Sequence, residues 1–414
     1  MARTENSSSE AGNRCDVEIM PRSVENMRIQ FYGVQGSGST FPSSQEIEAL
    51  QEFTDYQLLM RVFEDLGQHI DQKNTLDRSL TDLIGGPIDR KTLTRYKKKL
   101  TVPKARIYGG WTTCVHLETA DGVDIVFDCG SGFRNCAMDL QKKWGDREER
   151  HLYIFGSHSH YDHTEGFDQA VVCFDPRNTI HIYGNYQYLY ALDSYLGIFS
   201  KFVKSEILGV QTPINYSIMP AKFRAVEIRD FDEPAKFDKE DIMTRDVVDI
   251  HRSITIDGTQ ITAMKVFHPA PCLAYKVQRG GKTFIFCTDH ELRHGPDRSD
   301  PRQRESEARE KNLNQQAIKA DVLYRDAQYL RSDYDGLSGI GCSGPIRRLD
   351  WGHSCLEDVQ EMALACGVKR TYIGHHDPNR DWSELNWIDE SLIRRYEKTD
   401  GKMSLARAGT VIEL

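Results

Sequence analysis

An α/β fold is what the sequence predicts, and three observations lead there. Short apolar runs at 152–155, 180–183, 261–267, 283–287, 322–324 and 371–373 alternate with stretches of helical periodicity. Five of these six runs are followed within three residues by histidine or aspartate, as sheet strands feeding a common crevice would be. The 414 residues, 39% hydrophobic and 28% charged, have the composition of a chain with a substantial buried core.

Residues 1–25 carry many Ser, Glu, Asn and Arg and few apolar side chains, so a disordered polar tail is expected, with the folded domain spanning 27–414. Met27-Arg28-Ile29-Gln30-Phe31-Tyr32 alternates as a strand does, and the Gly- and Ser-rich run 33–39 that follows reads as a loop. Between 44 and 100 the apolar residues Ile47, Leu50, Phe53, Leu58, Leu59 and Val62 fall at helical spacing among many charges, which predicts a helical insertion. Such an insertion would cap a cleft or pair two subunits, since either use buries its apolar stripe. Strand character returns at 114–118 and 123–128, joined by a turn at Asp121-Gly122.

No apolar stretch is long enough for a membrane helix, and the first twenty residues lack the apolar core of a secretion signal. Ten cysteines, none in a CxxC pair, fit reduced thiols, with Cys129 and Cys287 as small core residues; a cytoplasmic location is expected. The formal charge of −9 weighs against an extended nucleic-acid surface, and the basic run Arg95-Tyr96-Lys97-Lys98-Lys99 reads as a solvated helix face.

The densest chemistry is Ser157-His158-Ser159-His160-Tyr161-Asp162-His163. Imidazole and carboxylate are ligands for zinc and similar divalent ions. In a tight loop, His158 and His160 can face one ion while Asp162 and His163 turn to a second some ~4 Å away. Each ion then needs one further histidine and a share of a carboxylate. His268, His375 and Asp289, each at the end of an apolar run, supply them in kind and position.

Together with this motif, further segments resemble the metallo-β-lactamase-fold hydrolases, and within them the ribonuclease Z-like phosphodiesterases. They are 33–39, Gly109-Gly110-Trp111-Thr112-Thr113-Cys114, Phe127-Asp128-Cys129-Gly130-Ser131-Gly132, His268-Pro269 ahead of 274–277, Thr288-Asp289-His290-Glu291, Asp326-Ala327-Gln328, Gly352-His353-Ser354 and Gly374-His375-His376-Asp377-Pro378. The resemblance implies an αββα sandwich. It also implies one metal on His158, His160 and His268, another on Asp162, His163 and His375, and Asp289 bridging both. His353 beside Asp326 would stand near the leaving group of a phosphodiester, where the carboxylate orients the imidazole and raises its pKa. Asp162, His353 and Asp326 are thus expected to carry the chemistry. Asp128 is expected to support the site from behind, His376 to stand behind the ligands with Asp377 able to hold it, and His290 and His294 to be surface or supporting groups.

The reaction so implied is hydrolysis of a phosphodiester with water activated between two divalent ions, zinc first and manganese or iron as substitutes. The GGxTxC and HHDP segments resemble enzymes that open cyclic nucleotides or related cyclic phosphates. The rivals are a tRNA 3′-end endonuclease of the ribonuclease Z type, a thioester or lactam hydrolase, and a non-enzymatic protein that kept the fold. The Asp326 and His353 pair favours phosphodiesters over the carbon-centred reactions, and a full ligand set argues against the last. Trp111 stands where the resemblance leads one to expect Asn and could stack on a base or belong to the core. A homodimer is also implied.

Overall fold

The structure is a computed structural model, and it describes residues 26–102, 106–210, 212–233 and 243–414. The polar segment 1–25 lies outside the described residues. The strands in chain order are β1 (Met27–Gly33), β2 (Cys114–Thr119), β3 (Asp124–Phe127), β4 (Arg150–Phe155), β5 (Asn178–Gly184), β6 (Lys222–Arg229), β7 (Arg245–Asp249), β8 (Ile254–Ile256), β9 (Thr259–Val266), β10 (Cys272–Arg279), β11 (Lys282–Cys287), β12 (Val322–Asp326), β13 (Arg370–Gly374), β14 (Lys402–Leu405) and β15 (Val411–Glu413). The helices are α1 (Ser44–Gly67), α2 (Leu80–Ile84), α3 (Arg90–Lys99), α4 (Phe133–Trp144), α5 (Tyr186–Leu196), α6 (Pro301–Ala317), α7 (Arg331–Tyr334), α8 (Leu356–Cys366) and α9 (Trp382–Tyr396).

Two sheets result. One runs in the order β15-β1-β2-β3-β4-β5-β6-β7, the other β14-β13-β12-β11-β10-β9-β8. From β3 to β7, and from β11 to β14, neighbours are parallel; the rest of each sheet is antiparallel. The β2–β3 hairpin turns at Asp121-Gly122 as the sequence predicts.

Three apolar layers follow from the alternation of side chains along strands. Between the sheets lie Phe31, Phe127 and Phe155 from the first and Tyr275, Phe284, Phe286 and Tyr324 from the second. Phe127 alone has four ring neighbours at centroid distances of 5.3–5.9 Å. Outside the first sheet, α4 and α5 bury Phe133, Leu140, Leu189 and Leu192. Outside the second, α6, α8 and α9 bury Leu313, Val359 and Leu392. Each fully buried side chain of this size stabilises by roughly 1.5–3 kcal/mol. The layers are therefore α, β, β, α. Cys129 and Cys287 are core residues, and no described cysteine forms a disulfide.

Helices α1, α2 and α3 occupy the 44–100 segment. A capping box of Ser43 and Glu46 starts α1. Its Leu50 is buried and Phe53 meets Trp382, but Tyr56, Leu59, Met60 and Phe63 on another face are exposed. The basic run ends α3, with Tyr96 buried and bonded to Asp65 while the lysines face solvent. No described helix is long and apolar enough to cross a membrane.

Candidate metal centre

Strand ends deliver the polar groups. β4 stops at Phe155 and the chain enters the loop 157–163; β9 leads to His268, β11 to Asp289, β12 ends in Asp326, and β13 leads to His375. The seven residues singled out as candidate ligands come together here. His158, His160, His268 and Asp289 form one group with ligand atoms within 4.8 Å of one another, and Asp162, His163 and His375 form a second.

Asp289 joins the groups. Its Oδ2 lies 3.5 Å from His158 Nε2 and 3.7 Å from His268 Nε2, while its Oδ1 lies 3.3 Å from His163 Nε2 and 3.1 Å from His375 Nε2. Asp162 Oδ2 stands 3.3 Å from His163 Nε2 and 3.2 Å from His375 Nε2.

The outer nitrogens of four of these rings are held from behind, which turns each Nε2 inward. His163 Nδ1 donates to Asp128 Oδ2 at 2.7 Å; His158 Nδ1 meets Ser157 Oγ at 3.0 Å; His268 Nδ1 meets the Ala270 carbonyl at 3.2 Å; His375 Nδ1 meets Gln328 Oε1 at 3.1 Å. Asp128 also accepts from Ser157 N and Oγ, so it supports the site from behind as expected.

His158 Nε2 is buried and has no hydrogen-bond partner. An unsatisfied imidazole nitrogen facing carboxylates and other imidazole nitrogens costs free energy unless something electron-poor fills the gap. The donor set thus fits two divalent cations. The electrostatics divide the cluster: burial lowers His163, but Asp162, Asp289 and Asp128 outweigh it and hold that ring well above the ordinary imidazole range. Burial and neighbouring histidines push His158 well below the ordinary imidazole range, and burial brings His268 down to about 4, keeping both neutral as ligation requires. Burial raises Asp289, but the surrounding histidines outweigh it and hold its carboxyl far below the usual range.

Backbone geometry serves the cluster. Asp128 and His375 adopt φ of 56° and 57°, uncommon for residues with a Cβ. Gly36 lies against the His375 ring, where a Cβ would approach Nδ1 to 2.2 Å. The same loop aims Ser37 N–H at Asp162 Oδ2, at 2.8 Å.

His353 sits beside the cluster, its ring stacked on His375 at 4.8 Å and its Nδ1 3.0 Å from Asp326 Oδ2. Burial opposes its charged form, yet Asp326, with Asp289 and Asp162 adding to it, raises its pKa to about 9. It does not cap α8, whose N-cap is Cys355. His353, Asp162, Asp289 and His268 line a cavity of about 470 Å³.

Other placements differ from expectation. His376 bonds the Ala406 carbonyl rather than Asp377, which instead accepts from Gln328 and Asn379. Of the two roles expected for His290, surface or supporting, the second applies: it is buried, its ring 2.9 Å from Glu310 and its backbone N–H donating to Asp326 Oδ2 at 3.4 Å. His294 is half-buried on Asp358. Trp111 packs edge-on against Phe41 and does not line the cavity. The cavity's aromatic side chains are Tyr161, Tyr329 and Trp351, with Arg348 among them. Sequence reasoning passed these over, although Arg348 and Trp351 lie within five residues of His353.

No family model matches the chain, and no curated protein matches it. Among solved structures it is similar to the metallo-β-lactamase fold protein YhfI from Bacillus subtilis, at 13% identity and a TM-score of 0.47 over 94% of this chain and 100% of that one. It is also similar to the short form of human tRNase Z, at 15% identity and a TM-score of 0.45 over 93% of this chain and 98% of that one. For unliganded yeast PDE1 the values are 12% and 0.44, over 75% and 96%. The αββα sandwich is similar to the metallo-β-lactamase fold. These likenesses concern the fold; what the site can do rests on its own geometry.

Proposed function

We propose that the protein is a metal-dependent phosphodiesterase that opens a cyclic nucleotide or a related small cyclic phosphate. The observation that carries this reading is His353, which lines the same cavity as the cluster and is held from behind by the buried Asp326. His158, His160 and His268 would hold one divalent ion and Asp162, His163 and His375 the other, with Asp289 shared. Zinc suits these nitrogen and oxygen donors best, and manganese or iron would also be accepted. When bound, such ions lower the pKa of water and neutralise charge that builds on a phosphoryl group.

The chain's own residues supply the rest. Asp326 holds His353 Nδ1 and thereby fixes the ring, leaving Nε2 to donate a proton to the ester oxygen as it departs. Asp326 beside the ring favours its protonated form. A cavity of about 470 Å³ suits a nucleotide-sized ligand. The exposed apolar face of α1 supports pairing of two chains through the insertion.

A panel of bis(p-nitrophenyl) phosphate, cyclic nucleotides, a tRNA precursor and a thioester, assayed with zinc, with manganese and after chelation, tests the reading. Metal-dependent opening of a cyclic phosphate is expected, and His353→Ala should keep its metal while losing ~10²–10⁴ in turnover. Cleavage of the thioester alone would overturn the proposal; cleavage of the tRNA precursor alone would move it to the endonuclease.

A further inference from the structure

Beyond the cluster and its proton donor, the cavity holds a cation that the chemistry above does not use. Arg348 is only 4% exposed, yet its Nε is buried without a hydrogen-bond partner. Its guanidinium lies between two rings, 5.1 Å from the centroid of Tyr329 and 4.9 Å from that of Trp351. The nearest carboxylate, Asp377 Oδ2, is 4.0 Å away, beyond hydrogen-bond reach. That oxygen already accepts from Gln328 Nε2 at 2.9 Å, and Asp377 Oδ1 accepts from Asn379 N and Nδ2. Asp377, Tyr329 and the two rings compensate the guanidinium only in part, its Nε having no partner, so on a cavity wall it has donor capacity left for an oxyanion.

Its position says which oxyanion. Among the described residues, no hydrogen bond, ion pair or ring contact joins the Arg348 side chain to any of the seven clustered residues. On one side, Asp377 and Gln328 stand between it and His375. On the other, Tyr329 stands between it and His353, whose ring meets Tyr329 edge-on at 5.7 Å. The scissile phosphodiester belongs at the cluster, so Arg348 faces a different part of the substrate. Trp351, 48% exposed, has the guanidinium over its ring, which stiffens it as a stacking platform at the rim.

We propose that Arg348 anchors a second phosphate on the substrate, apart from the scissile one, while Trp351 stacks on its base. This rests on the phosphodiesterase reading and narrows its substrate to a cyclic phosphate that carries a further phosphate group. Fixing the guanidinium between two rings lowers the ordering cost of recognition, because the donor fork is in place before the ligand arrives.

The test uses one pair of molecules, adenosine 2′,3′-cyclic phosphate and the same compound bearing a 5′-phosphate. Calorimetric titration of the chelator-treated protein measures binding, and turnover of the metal-loaded protein measures kcat/KM. The wild-type protein should favour the 5′-phosphorylated compound by about 10- to 100-fold in both. Arg348→Met should bring the ratio to near one and Arg348→Lys should restore part of it. Trp351→Ala should weaken both ligands and keep the ratio. Because the ratio compares two ligands on one protein, partial loss of folded material does not alter it. A ratio of one in the wild-type protein, or one that survives Arg348→Met, overturns the anchor. A binding preference without any hydrolysis upholds the anchor and overturns the phosphodiesterase reading instead.

Discussion

Asp128 shows how a residue outside the cleft governs one inside it. Its carboxylate takes three hydrogen bonds, two from Ser157 and one from His163 Nδ1, and so sets which nitrogen of His163 faces the cluster. Asn tolerates the same left-handed backbone, so Asp128→Asn isolates the carboxylate from the turn. Metal affinity should fall by ~10- to 100-fold, measured by competition with a chromogenic chelator. Unchanged affinity would mean that His163 is oriented by its packing alone.

At the scale of elements, α6 and β12 are joined beneath the site by a buried ion pair. Glu310 Oε2 accepts from Arg325 Nη2 at 2.7 Å and from His290 Nε2 at 2.9 Å. Burial raises the Glu310 carboxyl, but Arg325 and His290 outweigh it and bring its pKa from 4.5 down to about 2. A carboxyl depressed on folding adds stability that is fully present above its unfolded pKa and is lost as pH falls through its folded one. The window here runs from 4.5 to about 2. Glu310→Gln leaves Arg325 buried without its counter-charge and should cost ~3–5 kcal/mol near neutrality. In urea unfolding, the gap between wild type and variant should close as pH drops through that window; a constant gap would remove the carboxylate from the account.

The insertion poses a different question at this scale. Phe63, 66% exposed, lies one to two turns from Tyr56, Leu59 and Met60, all exposed on α1. If this face pairs two chains, light scattering should show a dimer for the wild-type protein and a monomer for Phe63→Asp, with helicity retained. A Phe63→Asp protein of unchanged mass would leave the face without that role.

For the whole molecule, the cluster ties the two sheets together. His158, His160, Asp162 and His163 come from the first sheet, and His268, Asp289 and His375 from the second. Ions held by residues of both should therefore stabilise the sandwich as a unit. At a hundredfold excess over Kd the linkage is worth about 2.7 kcal/mol, so stripping metal should lower Tm by several degrees, reversibly on adding zinc. A Tm indifferent to chelation would show that the sheets hold without ions.

Much of this was legible beforehand. The α/β class, the strand ends and the seven clustered residues follow from local pattern, because ligand chemistry restricts residue type and the HxHxDH run packs four such groups into six positions. Strands β7, β8, β14 and β15, short or partly exposed, carry too little alternation to declare themselves. The sequence offers Trp111 for the mouth, but the ring at the rim is Trp351, since exposure depends on which loops fold across the sheet ends. Residue type and spacing alone name the groups that could hold ions and move a proton. Packing alone turns one oxygen of Asp289 to each half of the cluster and leaves Arg348 Nε without a partner beside Tyr329 and Trp351. Such relations join residues from separate elements, and their geometry comes from packing, which no local spacing encodes.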